Sequence, residues 1–402
     1  MNIPRPFARP FYVMLKPAGS RCNLSCRYCY YLEKGKYYAP DGKHHDEIDD
    51  FCMSDELLEN FTRQYIEAQT TAEVLFTWHG GEPLLRPLDF YRRALALQRR
   101  YAGGRRVDNC IQTNGTLLTD EWCRFLRDNG FLVGISIDGP RHFHEGGRGR
   151  TFDAVMRGIE LLERHGVQWN AMAVVDSLNV AHPIEFYRFF RSIGCRYLQF
   201  TPVVERRDPA TGMLMEGLTE GGEITKWSVS SDQWGRFLCE MFDEWVRRDV
   251  GEMFVQIFDA TLACWAGEPP GICSLGPVCG HSAAMEHNGD LYSCDHFVFP
   301  SHRLGNIRET PLTEMMYGPQ QTAFGNAKRA TLPQQCRECR WTFTCNGECP
   351  KNRFIRDCYG NPGLNYLCDG YRRYFAHVAP AMDFMKAELD AGRAPANIMG
   401  QF

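Results

Sequence analysis

Short apolar runs rich in β-branched and aromatic residues alternate, over the first half of the chain, with longer stretches whose apolar residues recur every three or four positions. The short runs are typical of buried strands and the longer stretches of amphipathic helices, so their alternation predicts an α/β fold with a parallel sheet. Helices are predicted at residues 55–68, behind an N-capping Ser54, and at 120–128, behind Thr119. Strands are predicted at residues 11–16, 74–79, 107–113, 131–137, 167–175 and 197–201.

Six strand and helix units are too few to close an eight-stranded barrel, so we expect a partial (β/α)6 barrel of the TIM type with its active face at the carboxyl ends of the strands. Residues 205–225 are polar and rich in glycine, and this composition predicts a loop. A helix is predicted after it, at 232–248. Another helix is predicted at 370–389. The predicted domains are a barrel at 1–225, linking helices at 226–265 and a cysteine-rich extension with a C-terminal helix at 266–402.

Composition excludes several classes of protein. The 402 residues carry a formal charge of −4 with scattered basic residues, which argues against a nucleic-acid surface. No apolar run approaches the roughly 20 residues of a membrane span. The first ten residues lack the apolar segment of a signal peptide, so we expect a cytoplasmic protein. In that reducing compartment, the eighteen cysteines are expected to be metal ligands or free thiols.

Cys22, Cys26 and Cys29 form a CxxxCxxC run directly after the first predicted strand. A 4Fe-4S cluster normally takes four thiolates, so three leave one iron open to a small molecule. In radical SAM enzymes that molecule is S-adenosylmethionine. A partial zinc site or incidental thiols are the alternatives, although zinc sites usually combine two cysteine pairs. Tyr28 is expected to pack against the cluster, or else simply to fill the core.

A second motif, Gly80, Gly81, Glu82 and Pro83, follows the second predicted strand. Two glycines let a backbone approach a ligand closely, and we expect exposed main-chain groups here for the amino and carboxylate ends of a bound amino acid. This turn is a weak signal alone and a strong one after a three-cysteine loop. His79 is predicted either to contact substrate or to be a satisfied structural residue.

Beyond residue 265 lie nine cysteines, and eight of them, all but Cys358, are numerous enough for two complete 4Fe-4S sites. Two structural zinc ions are the alternative, because the CxxC spacing of Cys336 and Cys339 resembles a zinc knuckle. The remaining seven cysteines are predicted to be buried small hydrophobes. The eight candidate ligands are Cys273, Cys279, Cys294, Cys336, Cys339, Cys345, Cys349 and Cys368.

Asn288 and Gly289 lie between two apolar segments and predict a tight β-hairpin. The hairpin would deliver Cys294 to a cluster, with Asp295 beside it. Burial and the negative charge of the cluster are expected to raise the pKa of Asp295 and to favour a general-base role. The alternative is a solvated acidic residue in a loop.

With these motifs in view, the chain resembles the anaerobic sulfatase-maturating enzymes, a radical SAM family whose C-terminal SPASM extension binds two auxiliary iron-sulfur clusters. The resemblance implies three 4Fe-4S clusters and S-adenosylmethionine as cofactors. It implies S-adenosylmethionine contacts at Ser136, Arg148 and Leu198. It assigns Cys273, Cys279, Cys294 and Cys349 to the first auxiliary cluster and Cys336, Cys339, Cys345 and Cys368 to the second. The matching segments include residues 16–17, 78–83, 111–116, 134–140, 199–202, 294–295 and 345–350.

The same resemblance implies the activity. A radical from S-adenosylmethionine would abstract hydrogen from Cβ of a cysteine or serine, within a Cys/Ser-x-Pro-x-Arg motif of a sulfatase polypeptide, to give Cα-formylglycine. Asp295 would take the proton, and reduced flavodoxin or ferredoxin would supply electrons. The chain departs from the family after His144, where only residues 145–150 precede the next helix. That shortening favours the rival hypothesis of a SPASM enzyme modifying a ribosomal peptide or a small metabolite. A noncatalytic zinc scaffold is a further alternative.

Overall fold

A computed structural model describes residues 10–37 and 52–402, so all but the last of the ten N-terminal residues searched for a signal peptide lie outside the described part. The chain forms two compact units. Of the described residues, the first unit contains 10–37, 52–136, 153–169 and 279–326, and the second contains 137–152, 170–278 and 327–402.

The strands of the described chain are β1 Tyr12–Leu15, β2 Glu73–Trp78, β3 Arg106–Thr113, β4 Leu132–Ser136, β5 Trp169–Val175, β6 Tyr197–Pro202, β7 Arg206–Arg207, β8 Glu223–Ile224, β9 Phe254–Val255, β10 Ser282–Met285, β11 Asp290–Tyr292, β12 Arg303–Asn306, β13 Arg353–Arg356 and β14 Pro362–Asn365. The helices are α1 Asp55–Ala68, α2 Leu88–Tyr101, α3 Asp120–Asp128, α4 Arg141–Arg148, α5 Phe152–His165, α6 Pro183–Ser192, α7 Ser231–Val246, α8 Gln256–Trp265, α9 Leu312–Tyr317, α10 Pro319–Ala330, α11 Gln334–Arg337, α12 Thr342–Cys345 and α13 Cys368–Asp390. None of the helices in this described part is both long and apolar enough to cross a bilayer.

The six predicted barrel strands, β1 to β6, are confirmed with ends displaced by at most two residues. Helices α1 and α3 have the predicted bounds. Both begin where a hydroxyl caps them: Ser54 accepts from the N–H of Leu57 at 3.2 Å, and Thr119 from that of Trp122 at 3.3 Å. An oxygen acceptor at this position satisfies one of the free N–H groups of the first turn, which is why the sequence marks these ends clearly.

In the first unit, β1, β2, β3 and β4 pair side by side and in parallel. The predicted hairpin is present as β10 and β11, but it is also part of this sheet, because β10 pairs in parallel with β1. Gly289 takes the left-handed conformation, with φ of 92°, that its turn requires. The sequence predicted the hairpin and not this pairing, which places the hairpin turn beside the carboxyl end of β1.

The second unit contains β5, β6 and β9, which pair in parallel in that order. The predicted loop at 205–225 includes the short antiparallel pair β7 and β8. Helices α7 and α13 confirm the helices predicted at 232–248 and 370–389, with ends that differ by one or two residues. They approach closely because both carry glycine at the contact: a Cβ on Gly235 would lie 2.8 Å from Cα of Gly370.

Candidate active site

The loop that follows β1 carries Cys22, Cys26 and Cys29, which are half-buried and form no disulfide. The main-chain N–H of Leu24 lies 3.4 Å from Cys22 Sγ, and the side-chain amide of Asn114 lies 3.8 Å from the same sulfur. Burial raises the pKa of Cys22 to about 12, so its thiolate needs a cationic partner. Bound iron supplies that charge, and N–H groups directed at a ligand sulfur suit a cluster. Tyr28, between the last two cysteines, is buried.

The glycine turn after β2 contacts the cysteine loop itself. Gly81 donates its N–H to Gly19 O at 2.9 Å, and Glu82 donates to Arg21 O at 2.8 Å. A Cβ on Gly81 would lie 1.9 Å from Arg21 O, so only glycine permits this approach. Our expectation that these main-chain N–H groups are exposed for a ligand is therefore wrong at positions 81 and 82. The cofactor-binding role of Gly80, Gly81, Glu82 and Pro83 stays a prediction.

Glu82 is fully buried and joins the carboxyl ends of β2 and β3. Its carboxylate accepts from Thr113 Oγ1 at 2.7 Å, from the N–H of Asn114 at 2.8 Å and from that of Leu84 at 2.9 Å. Burial raises its pKa to about 7, although the three donors oppose the rise. Glu82 thereby fixes Asn114, whose amide lies next to Cys22.

Asp295 lies three residues beyond β11, and its side chain meets that of Lys16, which follows β1 and begins the cysteine loop. Lys16 Nζ donates to Asp295 Oδ1, and the hydroxyl of Tyr30 donates to Oδ2. Lys16 is fully buried. Burial, the largest single influence, raises the pKa of Asp295, but the Lys16 ammonium together with the His79 and His296 side chains outweighs it, so the pKa lies well below its usual range. The predicted upward shift is wrong, because the sequence did not reveal this ion pair.

His79 lies beside this pair. Its Nδ1 accepts from the N–H of Gly80 at 2.8 Å and lies 3.2 Å from Lys16 Nζ. Burial, with the adjacent ammonium, lowers the pKa of His79 to about 4, so the ring is neutral at pH 7. The sequence predicted that His79 either contacts substrate or is a satisfied structural residue. These contacts support the structural role for Nδ1. The Lys16 ammonium also lies 4.2 Å from the ring centre of Tyr31.

The three positions implied for S-adenosylmethionine have different surroundings. Ser136, at the end of β4, accepts from Gln112 Nε2 at 3.0 Å. In the second unit, Arg148 ends α4 and binds Asp138 through two hydrogen bonds of 2.8 and 3.0 Å. Leu198 is buried within β6. Their contact with the cofactor remains a prediction.

The shortened segment after His144 is mostly helical, since residues 141–148 form α4. His144 Nε2 lies 3.0 Å from Thr151 Oγ1, so one side-chain contact spans the six residues between them. Burial lowers the pKa of His144 to about 4.

The C-terminal cysteines are divided between the two units. In the second, Cys336, Cys339, Cys345 and Cys368 line one cavity, as a cluster of four thiolates requires. Cys273 and Cys349 also belong to this unit, and Cys279 and Cys294 belong to the first. Burial raises the pKa of Cys349 and of Cys368 to about 12, so each needs a bound cation to lose its proton at neutral pH. Throughout the described residues, no three His, Cys, Asp or Glu side chains converge on a single-ion site.

Comparison with known proteins identifies the family. Residues 17–190 match the radical SAM superfamily model, and residues 273–340 match that of the SPASM iron-sulfur cluster-binding domain. The chain is 58% identical to a serine-type anaerobic sulfatase-maturating enzyme of Bacteroides thetaiotaomicron, over 98% of this chain and 95% of that one. It belongs to the anaerobic sulfatase-maturating enzymes.

Members of this family with known structure share the fold. Native anSMEcpe with bound AdoMet superposes with a TM-score of 0.80 at 29% identity, covering 94% of this chain and all of that one. A cysteine-type anaerobic sulfatase-maturating enzyme of Clostridium perfringens is 29% identical over 93% of this chain and 97% of its own length. These matches confirm a partial barrel with a cluster-binding extension, a radical SAM enzyme, and iron-sulfur clusters with S-adenosylmethionine as its cofactors. The hypothesis of a noncatalytic zinc scaffold is wrong.

Sequence analysis missed the roles of Lys16 and Tyr30 in this family member. In the sequence, Lys16 stood out only as part of a segment that matches the family, and no motif pointed to Tyr30. One signal was available: a lysine at the end of an apolar strand is unusual unless it is paired. Of the cysteines predicted to be buried, Cys123, Cys195 and Cys239 are so, whereas Cys358 is exposed.

Proposed function

We propose that this protein oxidises one serine of a sulfatase polypeptide, within a Ser-x-Pro-x-Arg motif, to Cα-formylglycine. The observation that carries the proposal is the 58% identity to a serine-type enzyme over nearly the whole chain. Two further serine-type relatives, from Klebsiella aerogenes and Klebsiella pneumoniae, are 38% and 37% identical, whereas the cysteine-type relatives are 29% to 30% identical. Serine is therefore the preferred target.

The proposed cofactor ligands are those named from the sequence: Cys22, Cys26 and Cys29 for the cluster that binds S-adenosylmethionine, and the eight C-terminal cysteines for the auxiliary clusters. When bound, these groups supply a radical that removes a hydrogen atom from Cβ and an acceptor for one electron. The serine then has one more proton to lose from its hydroxyl. The chain must bind the peptide, hold its Cβ in place and accept that proton.

Asp295 is the proposed proton acceptor. Its ion pair with Lys16 keeps the carboxylate charged at neutral pH, and Tyr30 holds the second oxygen in place. Each carboxylate oxygen has a further lone pair with which to accept the serine hydroxyl. A low pKa makes Asp295 a weak base. Its proposed contribution is therefore a charged carboxylate that is already held in position to accept the proton.

The proposed partners are a peptide substrate and an electron-donating protein. Native anSMEcpe has been solved with the Kp18Cys peptide bound, which supports a peptide substrate here. Reduced flavodoxin or ferredoxin is the proposed electron donor. A cytoplasmic location is proposed because none of the eighteen cysteines is in a disulfide, which is typical of a reducing compartment.

The test uses protein reconstituted without oxygen and three peptides that differ only in the target residue: serine, cysteine or alanine in x-Pro-x-Arg context. We expect the mass change of aldehyde formation in the serine peptide, a slower reaction of the cysteine peptide and none of the alanine peptide. 5′-Deoxyadenosine should form in proportion to aldehyde. If it forms while both reactive peptides stay unchanged, the sulfatase function is wrong, and the ribosomal-peptide or metabolite hypothesis takes its place.

A further inference from the structure

The loop between Cys345 and Cys349 has an unusual backbone. Asn346, Gly347 and Glu348 are all left-handed, with φ of 47°, 69° and 54°. Residues other than glycine rarely adopt this conformation, and a run of three needs support from the surrounding structure. The loop joins a proposed ligand of the second auxiliary cluster to a proposed ligand of the first.

The support comes from the guanidinium of Arg353. Arg353 Nε donates to Gly347 O at 2.7 Å, and Nη2 donates to Asn346 O at 2.5 Å and to Glu348 O at 3.1 Å. Nη1 donates to Lys328 O at 2.5 Å. Four carbonyl oxygens thus enclose the cation, and three of them belong to the left-handed loop. A Cβ on Gly347 would lie 2.5 Å from Nη2, so the enclosure leaves no room there.

Arg353 is a buried charge whose hydrogen-bonding partners are neutral. It is 1% exposed, and it forms no ion pair with a carboxylate in the described part of the chain. The Glu348 carboxylate, which acts on it only at longer range, accepts instead from Asn365 Nδ2 at 2.9 Å. A guanidinium remains protonated at this burial, so a positive charge stays within the cysteine-rich region.

The same region holds other cations close to proposed ligands. Lys328, also 1% exposed, donates from Nζ to Cys273 O at 2.7 Å and to Ser274 O at 2.6 Å. Lys351, two residues beyond Cys349, donates from Nζ to Val204 O at 2.9 Å. The groups that act electrostatically on Arg353 include the thiols of Cys336, Cys345 and Cys349.

A cluster with four thiolates carries net negative charge and gains more on reduction, and nearby charge is one of the factors that set its potential. We propose that Arg353 is a positioning residue that raises the reduction potential of the auxiliary clusters, and so favours acceptance of the substrate electron, by holding an enclosed positive charge at the loop between Cys345 and Cys349. The inference rests on the cluster assignments of the proposed function and is independent of the sulfatase substrate.

The experiment is an anaerobic redox titration of the full chain, followed by EPR, without substrate. Replacing Cys22, Cys26 and Cys29 by alanine removes the N-terminal cluster signal and isolates the auxiliary clusters. In this background, Arg353→Gln and Arg353→Met remove the charge, and Arg353→Lys keeps it. Arg356→Met is the matched control, because Arg356 lies on the same strand, β13, and pairs at the surface with Glu220.

We expect both neutral variants to lower the midpoint potential of at least one auxiliary cluster, Arg353→Lys to restore most of the parent value, and Arg356→Met to leave it unchanged. An unchanged potential in a neutral variant with full auxiliary iron would overturn the inference. So would a shift in Arg353→Lys as large as that in Arg353→Met. Loss of auxiliary iron from both neutral variants would also overturn it, because the role would then be structural only. If the unmodified enzyme fails in the peptide assay, the sulfatase function is contradicted. The redox titration still tests the role of Arg353, because it uses no substrate.

Discussion

Two buried cations of this protein, Lys16 and Arg353, have opposite surroundings. Lys16, in the first unit, faces the carboxylate of Asp295. Arg353, in the second, faces four main-chain carbonyls. A carboxylate neutralises its cation and is fixed by it, whereas carbonyl dipoles satisfy the donors and leave the net charge in place. A buried charge can therefore orient a reactive group or act on a cofactor, and the identity of its partner decides which.

The largest expected effect tests the carboxylate half of this comparison. Asp295→Asn keeps the side-chain shape and removes the proton acceptor, so peptide oxidation should fall by about 10²- to 10⁴-fold, the usual loss for a general base. Iron content, about twelve atoms per chain for three clusters, should not change. The measurement is the rate of aldehyde formation by mass spectrometry beside an iron assay. Normal turnover would remove Asp295 from the mechanism.

The cation of that pair should matter to stability. Lys16→Met leaves a carboxylate buried without its partner, which typically costs about 3–5 kcal/mol of unfolding free energy. Combining it with Asp295→Asn should cost less than the sum of the two single changes, since neither charge is then left alone. Anaerobic denaturant titrations of the four proteins give the comparison. Lys386→Met serves as the matched control, because Lys386 pairs with Asp390 on the surface of α13 and should contribute little. Additive losses would contradict the ion pair.

The smallest effect concerns Glu82, a buried carboxylate that forms no ion pair within the described part of the chain. Its folded pKa of about 7 lies above its unfolded value. The folded state therefore binds the proton more tightly, and this contribution to stability is lost as the pH rises through about 7. Between pH 6 and pH 8 the loss should be about 1 kcal/mol. Glu82→Gln should have a flatter profile, measured as the thermal midpoint of the reconstituted protein at each pH. Parallel profiles for the two proteins would show that Glu82 does not titrate in this range.

The sequence predicted the parts of the site that depend on local spacing. Cys22, Cys26 and Cys29 fall within eight residues, so their ability to share a cluster follows from the chain alone. Helix starts at Ser54 and Thr119 were equally predictable, because a capping hydroxyl acts within three residues. The hairpin at Gly289 was predictable for the same reason.

Contacts between distant segments were not. Asp295 and Lys16 are 279 positions apart, and they meet because β10 pairs with β1, a pairing that no local pattern encodes. The wrong pKa direction for Asp295 follows from that omission. The same limit applies to the glycine turn, where the N–H groups of Gly81 and Glu82 bind carbonyl oxygens of the cysteine loop that the sequence did not reveal.

By itself, then, the sequence determined the class of chemistry, the candidate cluster ligands and the strand and helix order, because each depends on residue type and short spacing. The tertiary structure decided the charge state of Asp295, the partners of its two oxygens and the enclosure of Arg353. These depend on which distant groups share a buried volume, and in such a volume the nearest opposite charge or dipole outweighs the intrinsic preference of the side chain.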